Sequence, residues 1–260
     1  MHITLKTKFI FSPPKSSKIL ILDIYNKEII KNNLKLNGYS SLFIRGENLN
    51  LPIVIKMFFN LQFKMIYYIH HYIKTVNPKI IITFTDNSIF FYNLKKDFPN
   101  IKFIAVQNGN RRRVGDIYDN LSKNKNKLMA DYIFTFGKVT GDSYSKYIKF
   151  KNYSLGSFRN NSVSIQTRKT KDKKKILFIS QFRKENINWP SFFHTEEKLL
   201  PLISNFCEKY NLKLYILGVH KNSEIEKNYF CRILKKDQLN FINKKYYPQN
   251  YKTLDNFNLV

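Results

Sequence analysis

Residues 79–113, KIIITFTDNSIFFYNLKKDFPNIKFIAVQNGNRRR, decide how the chain is read. Two short apolar runs, Ile80 to Phe84 and Ile101 to Val106, each end in a polar cluster: Asp86-Asn87-Ser88 after the first, Gln107-Asn108-Gly109 after the second. A helix-length segment separates them. Short Ile-, Phe- and Val-rich runs read as buried strands, and strand, polar loop, helix, strand, polar loop is the alternation of a parallel α/β sheet. Ligands of such sheets bind outside the carboxyl ends of the strands, so the two polar clusters mark the candidate site.

On the N-terminal side, Lys18 to Tyr25 (KILILDIY) reads as a first strand after the Pro13-Pro14 breaker, followed by a helical stretch from Lys27 to Leu36. The joining turn, Asp23 to Asn26, contains no glycine, which disfavours a nicotinamide or flavin site because a pyrophosphate needs close backbone approach there. Gly38 stops the helix, and Ser41 to Arg45 is a second strand. Leu51 to Val76 is the longest apolar segment, but Lys56, Asn60 and Lys64 recur every four residues and give it a polar face. That excludes a membrane span and predicts one long helix packed on the sheet. The alternative is a basic, aromatic-rich face resting on a membrane, since Phe58, Phe59, Tyr67 and Tyr68 accompany the lysines. His70 and His71 point in different directions on a helix and read as packing or surface residues.

On the C-terminal side, residues 114–130 read as a polar excursion, Asp131 to Phe136 as a strand, Asp142 to Ile148 as a short helix and Asn152 to Ser157 as a strand. This completes a doubly wound domain over residues 1–158. Residues 159–174 are polar, basic and free of aromatics, the composition of a linker. A second alternation fills 175–260: strand Lys175 to Ser180, helix Glu196 to Tyr210, strand Leu212 to Leu217, helix Ser223 to Lys236, strand Leu239 to Asn243 and a helix near Asn250 to Asn256. Leu259-Val260 reads as the start of another strand, so this second domain is expected to be truncated. The fold class is α/β, with two Rossmann-like doubly wound domains.

At 260 residues, 43% hydrophobic and 16% aromatic, the chain is excluded from the disordered class despite a formal net charge of +27. Lys, Asn and Ile abound in every segment, as a biased coding sequence produces, so the charge alone does not select among phosphates, nucleotides, nucleic acid and anionic lipid. Cys207 and Cys231 have no Cys or His at metal-ligand spacing, and the first residues lack a signal-peptide core. A cytoplasmic protein is expected, with peripheral contact at the inner face of an anionic membrane as a further expectation.

Two doubly wound domains joined by a linker, without dinucleotide glycines, resemble the GT-B fold of glycosyltransferases. More narrowly, FTDN (84–87), FIAVQNGNRR (103–112), DYIFTFG (131–137) and KKILFISQFR (174–183) resemble bacterial surface-carbohydrate biosynthesis proteins, relatives of capsule and Kdo-type transferases and of glycerophosphotransferases. The resemblance implies transfer of an activated sugar onto a surface polysaccharide or lipopolysaccharide, the first domain holding the acceptor and the second the nucleotide donor in an interdomain cleft. It also implies a donor-binding loop and helix N-terminus beyond the strand near Leu259, where this sequence ends.

Glycosyl transfer needs a base for the acceptor proton and cationic or dipolar groups for the departing phosphate. No D-x-D motif occurs, so the expected site is metal-independent, with no cofactor beyond the nucleotide sugar as co-substrate. Asp86, just past the Ile80 to Phe84 strand, is the candidate base or acceptor ligand; alternatively Asp86 or Ser88 only caps the next helix. Asn87, Gln107, Asn108 and Gly109 are candidate acceptor contacts, against the plainer reading of an Asn-Gly turn. Arg111 to Arg113 cannot all face one ligand; Arg111 is the candidate for phosphate, with Arg183 and Lys184 after the first strand of the second domain. His194 and His220 are weaker candidates, and Trp189-Pro190 reads as loop packing. The rival readings are a phosphopolyol transferase or nucleotide-sugar epimerase of the same fold, and a non-enzymatic basic nucleic-acid binder. The last is disfavoured because the lysines are spread along the chain and no RNA-binding signature accompanies them.

Overall fold

The computed structural model describes residues 7–23, 36–45, 47–111, 117–123, 128–158, 174–182, 195–220, 224–234 and 239–243. The chain divides into two compact units, Met1–Ser162 and Val163–Val260. In the first, β1 (Lys8–Ile10) pairs in parallel with β4 (Asn48–Asn50) as a small sheet of its own. The main sheet is made by β2 (Ile19–Leu22), β3 (Ser40–Leu42), β5 (Ile80–Thr83), β6 (Lys102–Val106), β7 (Leu128–Thr135) and β8 (Ile148–Ser154). All its pairings are parallel, in the order β3-β2-β5-β6-β7-β8. The strands are aliphatic because both sheet faces are covered: Leu20, Ile21, Ile81, Phe103 and Ile133 are all fully buried. Each such side chain contributes about 1.5–3 kcal/mol on leaving water.

Among the described residues the helices of this unit are α1 (Leu51–Phe59), α2 (Met65–Val76), α3 (Ile89–Leu94), α4 (Ile117–Ser122) and α5 (Lys138–Ser145), and the helix expected over Lys27 to Leu36 lies outside the described residues except Leu36. The single helix expected over Leu51 to Val76 is therefore two. Asn60 ends the first, its backbone and side-chain amides both donating to Lys56 O at 3.2 and 2.7 Å, and Leu61 then turns into the left-handed region at φ 53°. The four-residue spacing of Lys56, Asn60 and Lys64 fits a continuous helix equally well, so periodicity concealed the break. The polar excursion over 114–130 includes α4 and the start of β7, and α5 begins four residues before the expected Asp142. The polar segment 138–145 still forms a helix because Tyr144 packs inward, fully buried.

At the amino end of β6, Asp131 from the middle of β7 accepts Phe103 N–H at 2.8 Å and pairs with Lys95 Nζ at 2.9 Å and Lys102 Nζ at 3.2 Å. Lys95 also donates to the carbonyls of Pro99 and Ile101, so this buried ammonium is fully engaged. Burial raises the Asp131 carboxyl, but the Phe103 amide and the two lysines outweigh it and hold it below its ordinary range.

Among its described residues the second unit has three parallel strands, β9 (Lys175–Ile179), β10 (Lys213–Leu217) and β11 (Asn240–Ile242), in the order β11-β10-β9. The helices α6 (Thr195–Lys209) and α7 (Glu224–Ile233) accompany them, with Phe182, Leu200, Leu214, Ile216 and Phe230 in its core. The molecule is thus α/β with parallel, Rossmann-like sheets. The expected linker at 159–174, the last helix and Leu259-Val260 lie outside the described residues, except Lys174. No helix among the described residues is long and apolar enough to cross a membrane.

Candidate functional site at the carboxyl edge of the first sheet

β5 leaves the sheet through Phe84 and Thr85, and Ser88 caps α3 by accepting Phe91 N–H at 3.4 Å. The cap role therefore belongs to Ser88, which leaves Asp86 to face sideways toward the loop after β6. There it accepts Asn108 N–H at 3.0 Å, Arg111 Nε–H at 2.9 Å and the Tyr144 hydroxyl at 2.7 Å, and its other oxygen also receives the Arg111 Nη2 group. Its carbonyl takes the Tyr92 hydroxyl at 2.6 Å. Asp86 is 0% exposed, so these contacts are made in a low-dielectric interior where an unpaired charge is costly. Burial pulls the Arg111 guanidinium down, but Asp86 outweighs it and the net shift is upward, which keeps Arg111 cationic. Burial and then the Asp86 charge push the Tyr144 phenol far up, so it remains a protonated donor.

Gln107 is a second anchor. Its Oε1 accepts Phe136 N–H at 2.7 Å and its Nε2 donates to Gly109 O at 2.8 Å, so one buried side chain ties the loop after β6 to itself and to the end of β7. Arg111 Nη2 also donates to Asn108 Oδ1 at 2.6 Å. The loop 107–111 is thereby held from both sides, presenting half-buried Asn108 and Gly109 and exposed Asn110 near exposed Asn87 on the neighbouring loop.

Next to it the strand order reverses between β2 and β5, the point at which open α/β sheets form a crevice. Asp23 sits there in the left-handed region at φ 54°, which a short polar side chain tolerates. Its buried carboxylate receives Arg45 through Nε at 3.1 Å and Nη2 at 2.6 Å, and the Thr85 hydroxyl at 3.1 Å. The Arg45 side chain is 52% exposed, unlike that of Arg111 at 8%. Thr85 thus joins the two acidic anchors along one edge.

The second unit repeats the device with different parts. Glu226, in the first turn of α7 and 0% exposed, accepts the Ser180 hydroxyl at 2.8 Å, Val219 N–H at 2.8 Å and His220 N–H at 3.1 Å. It stitches together the carboxyl ends of β9 and β10. A Cβ on Gly218 would lie 2.7 Å from the Phe241 ring and 3.2 Å from Glu226, so the approach requires glycine.

The structure thus brings Asp86, Asn87, Gln107, Asn108, Gly109 and Arg111 to one edge but sorts them into two groups. Asp86, the expected base, is fully enclosed, with its carboxylate engaged by Asn108, Arg111 and Tyr144. Arg111 and Gln107 are likewise held within the protein rather than turned toward a phosphate or a sugar. Asn87, Asn108 and Gly109 remain on the accessible side. Arg183, Lys184 and His194 lie outside the described residues, and the His220 ring stands edge-on to Phe182. Sequence reading missed Tyr144, whose place follows only from the phase of α5, and the Asp23–Arg45–Thr85 cluster. Asp23 carried the same signal as Asp86, an acid directly after an aliphatic strand. Among the described residues no group of three His, Cys, Asp or Glu side chains is arranged to hold a metal ion.

Comparison with curated proteins finds no match. A family model described as "putative O-antigen biosynthesis protein" matches residues 104–260, which include the loop 107–111, Tyr144 and the whole Glu226 network. The match spans more than half of the chain, and the chain therefore belongs to this O-antigen biosynthesis family, a link to surface-carbohydrate biosynthesis.

Proposed function

We propose that the protein is a glycosyltransferase of the GT-B type that moves a sugar from a nucleotide-activated donor to an O-antigen or related surface glycan. The observation that carries this reading is the loop 107–111, a polar loop hydrogen-bonded on both sides at the carboxyl edge of a parallel sheet, in a chain of an O-antigen biosynthesis family. A sugar acceptor offers many hydroxyls of weak individual affinity, and amide groups fixed beforehand bind it without an added ordering cost. In this reading Asn87, Asn108 and Gly109 meet the acceptor, Asp86, Gln107 and Arg111 keep them in place, and Arg183 and Lys184 meet the donor phosphates.

The test is incubation of the purified protein with a panel of nucleotide sugars, with and without O-antigen glycan acceptors, following nucleotide release and acceptor mass. Release that depends on both substrates, with the acceptor heavier by one sugar, is expected. Asn87→Ala is expected to raise the acceptor KM while leaving the thermal midpoint unchanged. Conversion of the donor in the absence of any acceptor would identify an epimerase instead and overturn the reading.

A further inference from the structure

The turn between α1 and α2 exposes an unusual amount of apolar surface. Phe58 is 66% exposed, Phe59 81%, Leu61 78% and Phe63 68%, with Ile55 behind them at 53%. The turn is well defined: Leu61 N–H donates to Phe58 O at 3.0 Å, Gln62 N–H to Met57 O at 3.0 Å, and His71 Nε2 lies 2.9 Å from Gln62 Oε1. Leu61 adopts φ 53°, where glycine or asparagine is the favoured residue, and yet its side chain points into solvent. Among the described residues neither the local backbone nor packing rewards a leucine there; an apolar environment outside the protein would. Beneath the turn lies a pocket of about 190 Å³ lined by Leu49, Val54, Met57, Phe63, Met65 and Tyr68, with Phe58 at its side. An apolar cavity of roughly 150 Å³ already admits a benzene-sized molecule.

The segment that carries this surface is charged with one sign, and the nearby acid Asp97, from outside it, pairs with His70 on α2. Between Glu47 and Asp86 the sequence holds no acidic residue, whereas Lys56, Lys64, Lys74 and Lys79 all fall in that interval, and all are exposed. Aromatic and aliphatic side chains at a tip flanked by lysines are complementary to a bilayer that carries anionic headgroups over an acyl interior. The two helices are too short to span such a bilayer. The geometry points to the α1–α2 turn as a docking element for an anionic phospholipid bilayer, with Phe59, Leu61 and Phe63 in the acyl boundary and a lipid chain end entering the pocket. This goes beyond the proposed transfer reaction and holds independently of it.

Flotation of the full-length protein with vesicles tests it, using phosphatidylcholine alone and phosphatidylcholine carrying about a third of phosphatidylglycerol. Binding to the anionic vesicles is expected, weakened about tenfold or more by the triple change Phe59→Ser, Leu61→Asn and Phe63→Ser. Weakening by a similar factor is expected for Lys56→Glu with Lys64→Glu. A Phe59→Trp variant supplies a second readout: its added fluorescence is expected to be quenched by lipids brominated on their acyl chains. Unchanged binding of the triple variant would mean that the net charge acts alone, and absence of quenching at position 59 would also overturn the proposal. A dimer in light scattering that the triple variant abolishes, with no vesicle binding by the parent protein, would assign the surface to a second copy instead.

Discussion

Asp86 and Glu226 are both fully buried carboxylates at the carboxyl edge of a parallel sheet, and both hold the loop after a neighbouring strand by its amides. They differ in where they come from. Asp86 sits on a strand-end loop and gathers side chains, Arg111 and Tyr144, whereas Glu226 sits on a helix and gathers backbone N–H groups and one serine hydroxyl. An anchor made of side chains can fix a longer, more exposed loop, but it depends on each of those residues; an anchor made of amides tolerates most changes in the loop it holds. The first suits a loop that must present chosen groups to a ligand, and the second suits a tight connection.

The comparison can be broken by mutation. Asp86→Ala leaves the buried Arg111 charge without its carboxylate and is expected to cost about 3–5 kcal/mol in urea unfolding followed by circular dichroism. If Glu226→Gln, which keeps one acceptor oxygen, costs as much, the distinction between the two anchors fails. Tyr144→Phe removes one hydrogen bond to a buried charge and is expected to cost about 1.5–3 kcal/mol, with Asn108 amide exchange accelerated. Gly218→Ala forces the Phe241 ring and Glu226 apart and is expected to cost about 1–3 kcal/mol in the second unit alone, as read by hydrogen exchange of β10 and β11.

The smallest effect concerns pH. The Asp131 carboxyl is held below its unfolded value of about 3.9, so its contribution is fully present above that pH and is lost as pH falls through the lower folded value. Asp131→Asn is therefore expected to flatten the acid side of the stability profile below about pH 4, the midpoint near neutrality falling at the same time. An unaltered acid limb would remove Asp131 from the account of acid sensitivity.

Much of the architecture was legible because strands buried on both faces must be continuous aliphatic runs. Ile80 to Phe84, Ile101 to Val106 and Lys175 to Ser180 all contain strands of parallel sheets, and the polar clusters behind the first two fall at the carboxyl edge of the first sheet. The break at Asn60 to Lys64 was not legible, since a polar residue every fourth position satisfies one helix as well as two. The strand β1 was hidden because three residues, KFI, carry no period, and they are ordered only by pairing with β4.

The sequence by itself therefore determined the class of fold and the edge that carries the polar residues, which follow from the order of apolar and polar residues along the chain; the link to surface-carbohydrate biosynthesis rests on the match to the family model. Only the tertiary structure decided which polar residues are anchors and which face outward. Asp86 is enclosed by Tyr144, which lies 58 residues away, and by Arg111 from the next loop. Burial is a property of what arrives from elsewhere, and no local pattern around FTDN records it.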